Sequence, residues 1–182
     1  MIQKYISNAH LISGSKWDMR IYVLITNARP MKLYLFREGL VRFSSARYDT
    51  SNLTNVYSHL TNSSINKYAG TFGGGTSYGS EGKWTFAQLK SYFVSNNLNW
   101  DVTWVKIETV ITCTCLNLIN LLPDINCCFE LLGFDIMLDD KLKPWLIEVN
   151  SGPAMSMDGR ADQAVKPALI NDIIGLLNFE PY

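Results

Sequence analysis

The chain has 182 residues, 47% hydrophobic and 18% charged, with sixteen basic side chains set against sixteen acidic ones. This balance excludes a disordered or fibrous polymer and argues against a free-standing nucleic-acid binder, which carries a basic excess. No apolar run of about 18 residues occurs, so no transmembrane helix is expected, and Met1 to Tyr5 lacks the basic stretch and apolar core of a secretory signal.

In chain order, Asp18 to Thr26 (D-M-R-I-Y-V-L-I-T) is β-branched and aromatic and predicts a strand. Asn27-Ala28-Arg29-Pro30 reads as a turn. Lys32 to Arg37 alternates polar with apolar residues, and Gly39 separates it from Leu40 to Phe43, so a meander of three antiparallel strands is expected. Ser44 to Tyr68, rich in Ser, Asn and Thr, reads as irregular, and a glycine-rich loop follows from Thr71 to Gly82. Thr85 with Gln88 three residues later forms a capping box that opens a helix through about Ser95. A second helix is predicted from Asp101 to about Leu121, stopped by Pro123. Two strands, Glu130 to Leu138 and Pro144 to Val149, are joined by Asp139-Asp140-Lys141. A last helix starts near Asp162, with Val165, Leu169, Ile173 and Leu176 as its apolar stripe. The expected class is α+β, an antiparallel sheet with packed helices, in one domain over residues 1–182.

Two features resemble ligand sites and are read otherwise. Cys113-Thr114-Cys115 and Cys127-Cys128 lack the two-residue gap and the neighbouring histidine of a zinc site, so reduced thiols are expected. Gly82-Lys83 is followed by Trp84 rather than Ser or Thr, and Ser77 stands where the first glycine of a phosphate loop belongs. A surface insertion is the better reading of that loop.

The segment Phe134 to Asn150, F-D-I-M-L-D-D-K-L-K-P-W-L-I-E-V-N, carries the chemistry. On a strand Glu148 and Asn150 point the same way, and the hairpin turn brings Asp135 close to them. Two carboxylates and an amide oxygen in such an open arrangement suit Mg²⁺ bridging the phosphates of ATP. Both acids also sit in strongly apolar strands, where a carboxylate without a partner is costly.

At these residues the sequence resembles a known family. C-F-E-L-L-G-F-D-I-M-L-D and L-K-P-W-L-I-E-V-N-S-G-P are similar to the C-terminal signature of the tubulin tyrosine ligase-like family, an ATP-grasp group. Q-K-Y-I, G-S-K-W-D-M-R-I-Y-V-L-I-T, E-G-L-V-R-F and H-L-T-N-S-S-I-N-K precede them in family order, from Gln3 onward. The resemblance implies an ATP-grasp-like fold and an ATP- and Mg²⁺-dependent ligase that joins an amino acid to tubulin carboxylates through an acyl-phosphate. It implies that Gln3, Lys4, Tyr5 and Ile6 form the hinge meeting adenine, and that Lys16, beside Asp18, faces phosphate. Arg20 and Arg42 would hold the acyl-phosphate or the incoming amino acid, and Thr61 and Asn62 would contact that amino acid or the nucleotide. Asp135, Glu148 and Asn150 would hold the metal.

The pattern after Asn150, with D-x-x-V-K-x-x-L-I-x-D in the last helix, looks most like the glutamylating members, so glutamate is the favoured amino acid over glycine or tyrosine. The implied partners are the acidic C-terminal tails of tubulin or microtubules, and the implied location is cytoplasmic, on the microtubule cytoskeleton, with cilium or basal body included. The chain departs from the family in beginning at the hinge and in placing only Asp124-Ile125-Asn126 between Pro123 and Cys127. A partial catalytic domain whose N-terminal ATP-grasp lobe is missing is therefore expected. The alternative is a catalytically inactive fragment or pseudoenzyme of the same family, acting as a binding module.

Overall fold

A computed structural model describes residues 3–66, 82–118 and 128–178. Strands β1 (Trp17–Ala28), β2 (Met31–Phe43), β3 (Lys83–Thr85), β4 (Glu130–Leu138) and β5 (Pro144–Ser151) form one antiparallel sheet in the order β3-β2-β1-β4-β5. The helices among the described residues are α1 (Val56–His59), α2 (Ser63–Asn66), α3 (Phe86–Ser95), α4 (Trp100–Leu118) and α5 (Arg160–Leu177). The α+β class and the antiparallel sheet expected from sequence are both present.

The alternation of β1 decides where everything else sits. Its residues Trp17, Met19, Ile21, Val23 and Ile25 face one side, because successive strand side chains point to opposite faces. There they join Phe134, Ile136 and Leu138 of β4 under Phe86, Leu89 and Phe93 of α3 and Trp104, Ile107, Ile111 and Cys115 of α4. Each large side chain buried this fully contributes about 1.5–3 kcal/mol relative to exposure. On the opposite face Tyr22 and Leu24 pack with Leu40 against Ala161, Val165, Leu169 and Ile173 of α5. Asp18 and Arg20 share that second face, so the same alternation that buries the core presents the charged residues beside α5.

Helix α3 starts as expected. The Thr85 hydroxyl accepts from the Gln88 amide, and the Gln88 side chain accepts from the Thr85 amide at 2.9 Å, completing the capping box. Indole stacking of Trp100 on Trp104, centroids 5.5 Å apart, fixes the first turn of α4.

The structure corrects the meander. The segments on either side of Gly39 are one continuous strand, β2, and the pairing with β1 slips from Ile21–Gly39 to Val23–Leu35 through a bulge. Gly39 is there for close approach and makes no turn. A Cβ at this position would lie 2.6 Å from both the Arg20 carbonyl oxygen and the Phe86 ring. Strand β1 runs on to Ala28, taking up half of the predicted turn. The irregular stretch after Phe43 holds two one-turn helices, α1 and α2. Helix α5 begins at Arg160, and Leu176 is 46% exposed while Ala161 takes a place in the apolar stripe. The predicted loop over 71–81, the end of the second helix at Leu121, Pro123 and Cys127 lie outside the described residues. Among the described residues no helix is long and apolar enough to cross a membrane.

Candidate functional site

The predicted charged residues of β1, β2 and β4 form one hydrogen-bonded unit. Arg20 grips Asp135 with two parallel bonds, Nε to Oδ1 at 2.6 Å and Nη2 to Oδ2 at 3.0 Å. Arg42 grips Asp18 in the same way at 2.7 and 2.6 Å, and its Nη2 reaches across to Asp135 Oδ2 at 2.8 Å. The Thr61 hydroxyl closes the unit by donating to Asp18 Oδ2 at 2.6 Å. The strand register explains the meeting, since Arg20 is paired with Asp135 across β1 and β4, and Asp18 with Arg42 across β1 and β2. Forked guanidinium–carboxylate pairs are the strong kind of charged hydrogen bond.

Burial sets the electrostatics. Asp18, Asp135, Arg42 and Thr61 are all below a tenth exposed. Burial alone would push the Asp135 carboxyl up, but the hydrogen bond from Arg20 and the charge of Arg42 outweigh it and hold the group below the ordinary carboxylate range. Burial works against the charged form of Arg42, and Asp18 and Asp135 more than reverse it, so the guanidinium is held more firmly protonated. Tyr22, beside them on the same face, is pushed up to about 12 by burial.

Lys16 sits just ahead of β1, its backbone tied to Ser44 by two hydrogen bonds. The residue is 9% exposed, and its ammonium lies 5.0 Å over the Tyr5 ring and donates to the Tyr5 hydroxyl at 3.4 Å. Burial lowers the Lys16 pKa, with Asp18 opposing the shift. Tyr5 in turn meets His59 Nδ1 at 2.7 Å, and His59 Nε2 meets the Asn52 carbonyl at 3.1 Å. A buried ammonium held by one long bond to a hydroxyl suits an anion such as a phosphate. Of the remaining predicted hinge residues, Gln3 and Lys4 are exposed and Ile6 is half-buried.

The three predicted metal ligands stand on adjacent strands, with Asp135 directly opposite Glu148 and Gly133 opposite Asn150. Glu148 is exposed and Asn150 half-buried, and the Asn150 amide donates to Glu148 Oε1 at 3.1 Å. Asp135 meets the cost of its burial through the two guanidinium groups. They occupy three of its roughly four lone-pair positions. The donor set fits a hard cation with water completing the shell, held mainly by Glu148 and Asn150, with Asp135 able to offer one remaining lone pair. Among the described residues no three His, Cys, Asp or Glu side chains gather as a metal cluster.

Beside the charged unit lies a cleft of about 200 Å³, lined by Arg20, Arg42, Asn62, Lys83, Asp162 and Lys166, with Lys83 directly across from Arg42 on the neighbouring strand. Thr61 therefore lies behind the cleft, bonded to Asp18, while its exposed neighbour Asn62 faces into it. Carboxylates take three of the five donors of Arg42 and two of those of Arg20, leaving both able to donate to a ligand.

Sequence reasoning missed a second charged cluster in this cleft. Asp162 is 0% exposed and receives Lys83 on one oxygen at 2.6 Å and Lys166 on the other at 2.7 Å. The spacing of Asp162 and Lys166, four apart on a helix, was a readable signal. Lys83 lies 79 residues away from Asp162, and nothing local announces it.

A family model described as "Tubulin-tyrosine ligase family" matches residues 1–181. The chain is 45% identical to the human "Probable tubulin polyglutamylase TTLL2", over 97% of this chain and 30% of that protein. It is 40% identical to the human "Tubulin polyglutamylase TTLL6", over 98% of this chain and 21% of the relative. With the mouse "Tubulin monoglutamylase TTLL4" the identity is 39%, over 98% of this chain and 16% of the relative. The chain thus spans a third or less of the length of these curated relatives.

Proposed function

Because this chain belongs to the tubulin-tyrosine ligase family, we propose that it is the part of an ATP-dependent ligase that joins glutamate to carboxylates on tubulin tails. The observation that carries the reading is the charged unit of Arg20, Asp135, Arg42 and Asp18, which fixes two guanidinium groups at the wall of a cleft. Similarity to proteins named as tubulin poly- and monoglutamylases supports the choice of tubulin and glutamate.

In this reading ATP phosphorylates a carboxylate, and the amine of a free amino acid attacks the acyl-phosphate and releases phosphate. No side-chain nucleophile is needed, so the protein contributes placement and charge. Arg20 and Arg42 are held rigid by their carboxylates and direct their spare donors at the oxygens on which negative charge accumulates. Lys16, with few partners of its own, meets a phosphate, while Tyr5 and the hinge from Gln3 to Ile6 lie beside the base. Mg²⁺ bound by Glu148 and Asn150 with Asp135 would neutralise phosphate charge.

The test is calorimetric titration of ATP with Mg²⁺ into the chain and into Glu148→Gln, alongside incorporation of labelled glutamate into tubulin. Binding that the substitution abolishes supports a working nucleotide site. Failure of both proteins to bind would favour the alternative, an inactive binding module of the same family.

A further inference from the structure

We propose that the wall formed by Lys83, Asp162 and Lys166 seats the side-chain carboxylate of the incoming amino acid, so that the site selects a dicarboxylic amino acid over glycine or tyrosine. This rests on the ligase reading and names the substrate of that same cleft.

Charge counting over the buried groups leads there. Each guanidinium has its own carboxylate, Arg20 with Asp135 and Arg42 with Asp18. Two ammonium groups lining the same cleft share one carboxylate. Their side chains are 12% and 7% exposed, and Asp162 between them is fully buried. One lysine would suffice to neutralise Asp162, and the desolvated second cation is a cost that the fold alone does not explain. The excess of one positive charge is what a single added carboxylate would answer.

Donor counting agrees. An ammonium carries three N–H groups. Lys166 directs one to the Ser156 carbonyl and meets Asp162 Oδ1 as an ion pair at 2.7 Å, and Lys83 directs one to Asp162. Both line the cleft with donors remaining. Asp162 acts as the positioning residue: it anchors both ammoniums from behind, one from the edge strand β3 and one from α5. Asp158 also lines the cleft, but its carboxylate is exposed and accepts from the Ser156 hydroxyl, and an exposed charge is screened far more than the buried groups. The cleft volume of about 200 Å³ is on the scale of a free amino acid. Glycine and tyrosine bring no second carboxylate and would leave the extra lysine charge unanswered, whereas glutamine matches glutamate in shape but lacks the charge.

The experiment is ligand-observed NMR titration of L-glutamate, L-glutamine and glycine against the whole chain and its Lys166→Met and Lys83→Met variants. ATP affinity is followed in parallel by calorimetry, and folding by circular dichroism. We expect glutamate to bind at least about tenfold more tightly than glutamine, as for loss of one charge-assisted hydrogen bond. In either variant the ratio should fall to near one with ATP affinity unchanged. Should Lys166→Met not fold, Lys83→Met at the strand end carries the test. Equal binding of glutamate and glutamine, no binding of either, or a ratio that survives in the folded variants would overturn the assignment. A chain that discriminates glutamate yet binds no ATP would instead sink the ligase reading and leave the carboxylate subsite standing.

Discussion

Asp135→Asn separates structural from catalytic roles in the charged unit. The side chain is 2% exposed and accepts three hydrogen bonds from two guanidinium groups, at 2.6, 3.0 and 2.8 Å. The asparagine is nearly isosteric, so packing is kept while one buried negative charge is removed from between two positive ones. Stranding buried charge in this way costs about 3–5 kcal/mol, a large share of the roughly 5–15 kcal/mol that holds a domain together. With a urea dependence of about 2 kcal/mol per molar, the unfolding midpoint should fall by roughly 1.5–2.5 M. The pH dependence gives a second check. The folded carboxyl is held below its ordinary value, so its contribution is fully present above the unfolded pKa of about 3.9 and is lost as pH falls through the lower, folded value. The gap between the native protein and Asp135→Asn should therefore stay constant from pH 7 to about pH 5 and close only below about pH 4. A midpoint shift under about 0.25 M, or a gap unchanged down to pH 2, would show that Asp135 does not neutralise the arginines in the way the distances require.

Glu148→Gln should be the converse case: exposed and bonded only to the Asn150 amide among the described contacts, it should leave the unfolding free energy from urea titration within about 0.5 kcal/mol while removing Mg²⁺-dependent nucleotide binding. Gly39→Ala places a methyl group 2.6 Å from the Arg20 carbonyl and the Phe86 ring, and thermal melts should show a loss of about 1–3 kcal/mol from overpacking. Thr85→Ala removes the hydroxyl from the α3 capping box and should cost about 1 kcal/mol by the same assay. Alkylation by iodoacetamide at pH 8, read by mass spectrometry, should modify the exposed Cys113 and Cys128 long before Cys115. Burial pushes the Cys115 thiol up to about 11 and keeps it out of the thiolate form.

The sheet was legible because its strands are patterned at period two and its hairpin joins strands close in sequence. Asp135, Glu148 and Asn150 could be brought together on paper by one turn and the alternation of side chains. The bulge that makes β2 one strand was not legible, since the reason for Gly39 is a ring delivered from α3, 47 residues later. The cost of burying Asp135 was apparent from its apolar neighbours, but its partners were not. A lone acid in a strand can be answered by a metal or by guanidinium groups, and only the register of β1 against both neighbours reveals Arg20 and Arg42. Lys83 carried no signal beyond an imperfect phosphate-loop pattern, and its role depends on a helix that arrives much later in the chain.

The bridge from Arg42 Nη2 to both Asp18 and Asp135 also limits how these positions can vary or be dissected. Because one guanidinium serves two carboxylates on different strands, the four charges rise or fall as a group, and their single-substitution effects will not sum. Scanning them one residue at a time would score each as essential to turnover even where the loss comes from misfolding. Substitutions that are tolerated should be concerted ones, in which an acid and its arginine change together, so sequence drift at any one of these sites ought to be accompanied by drift at the others.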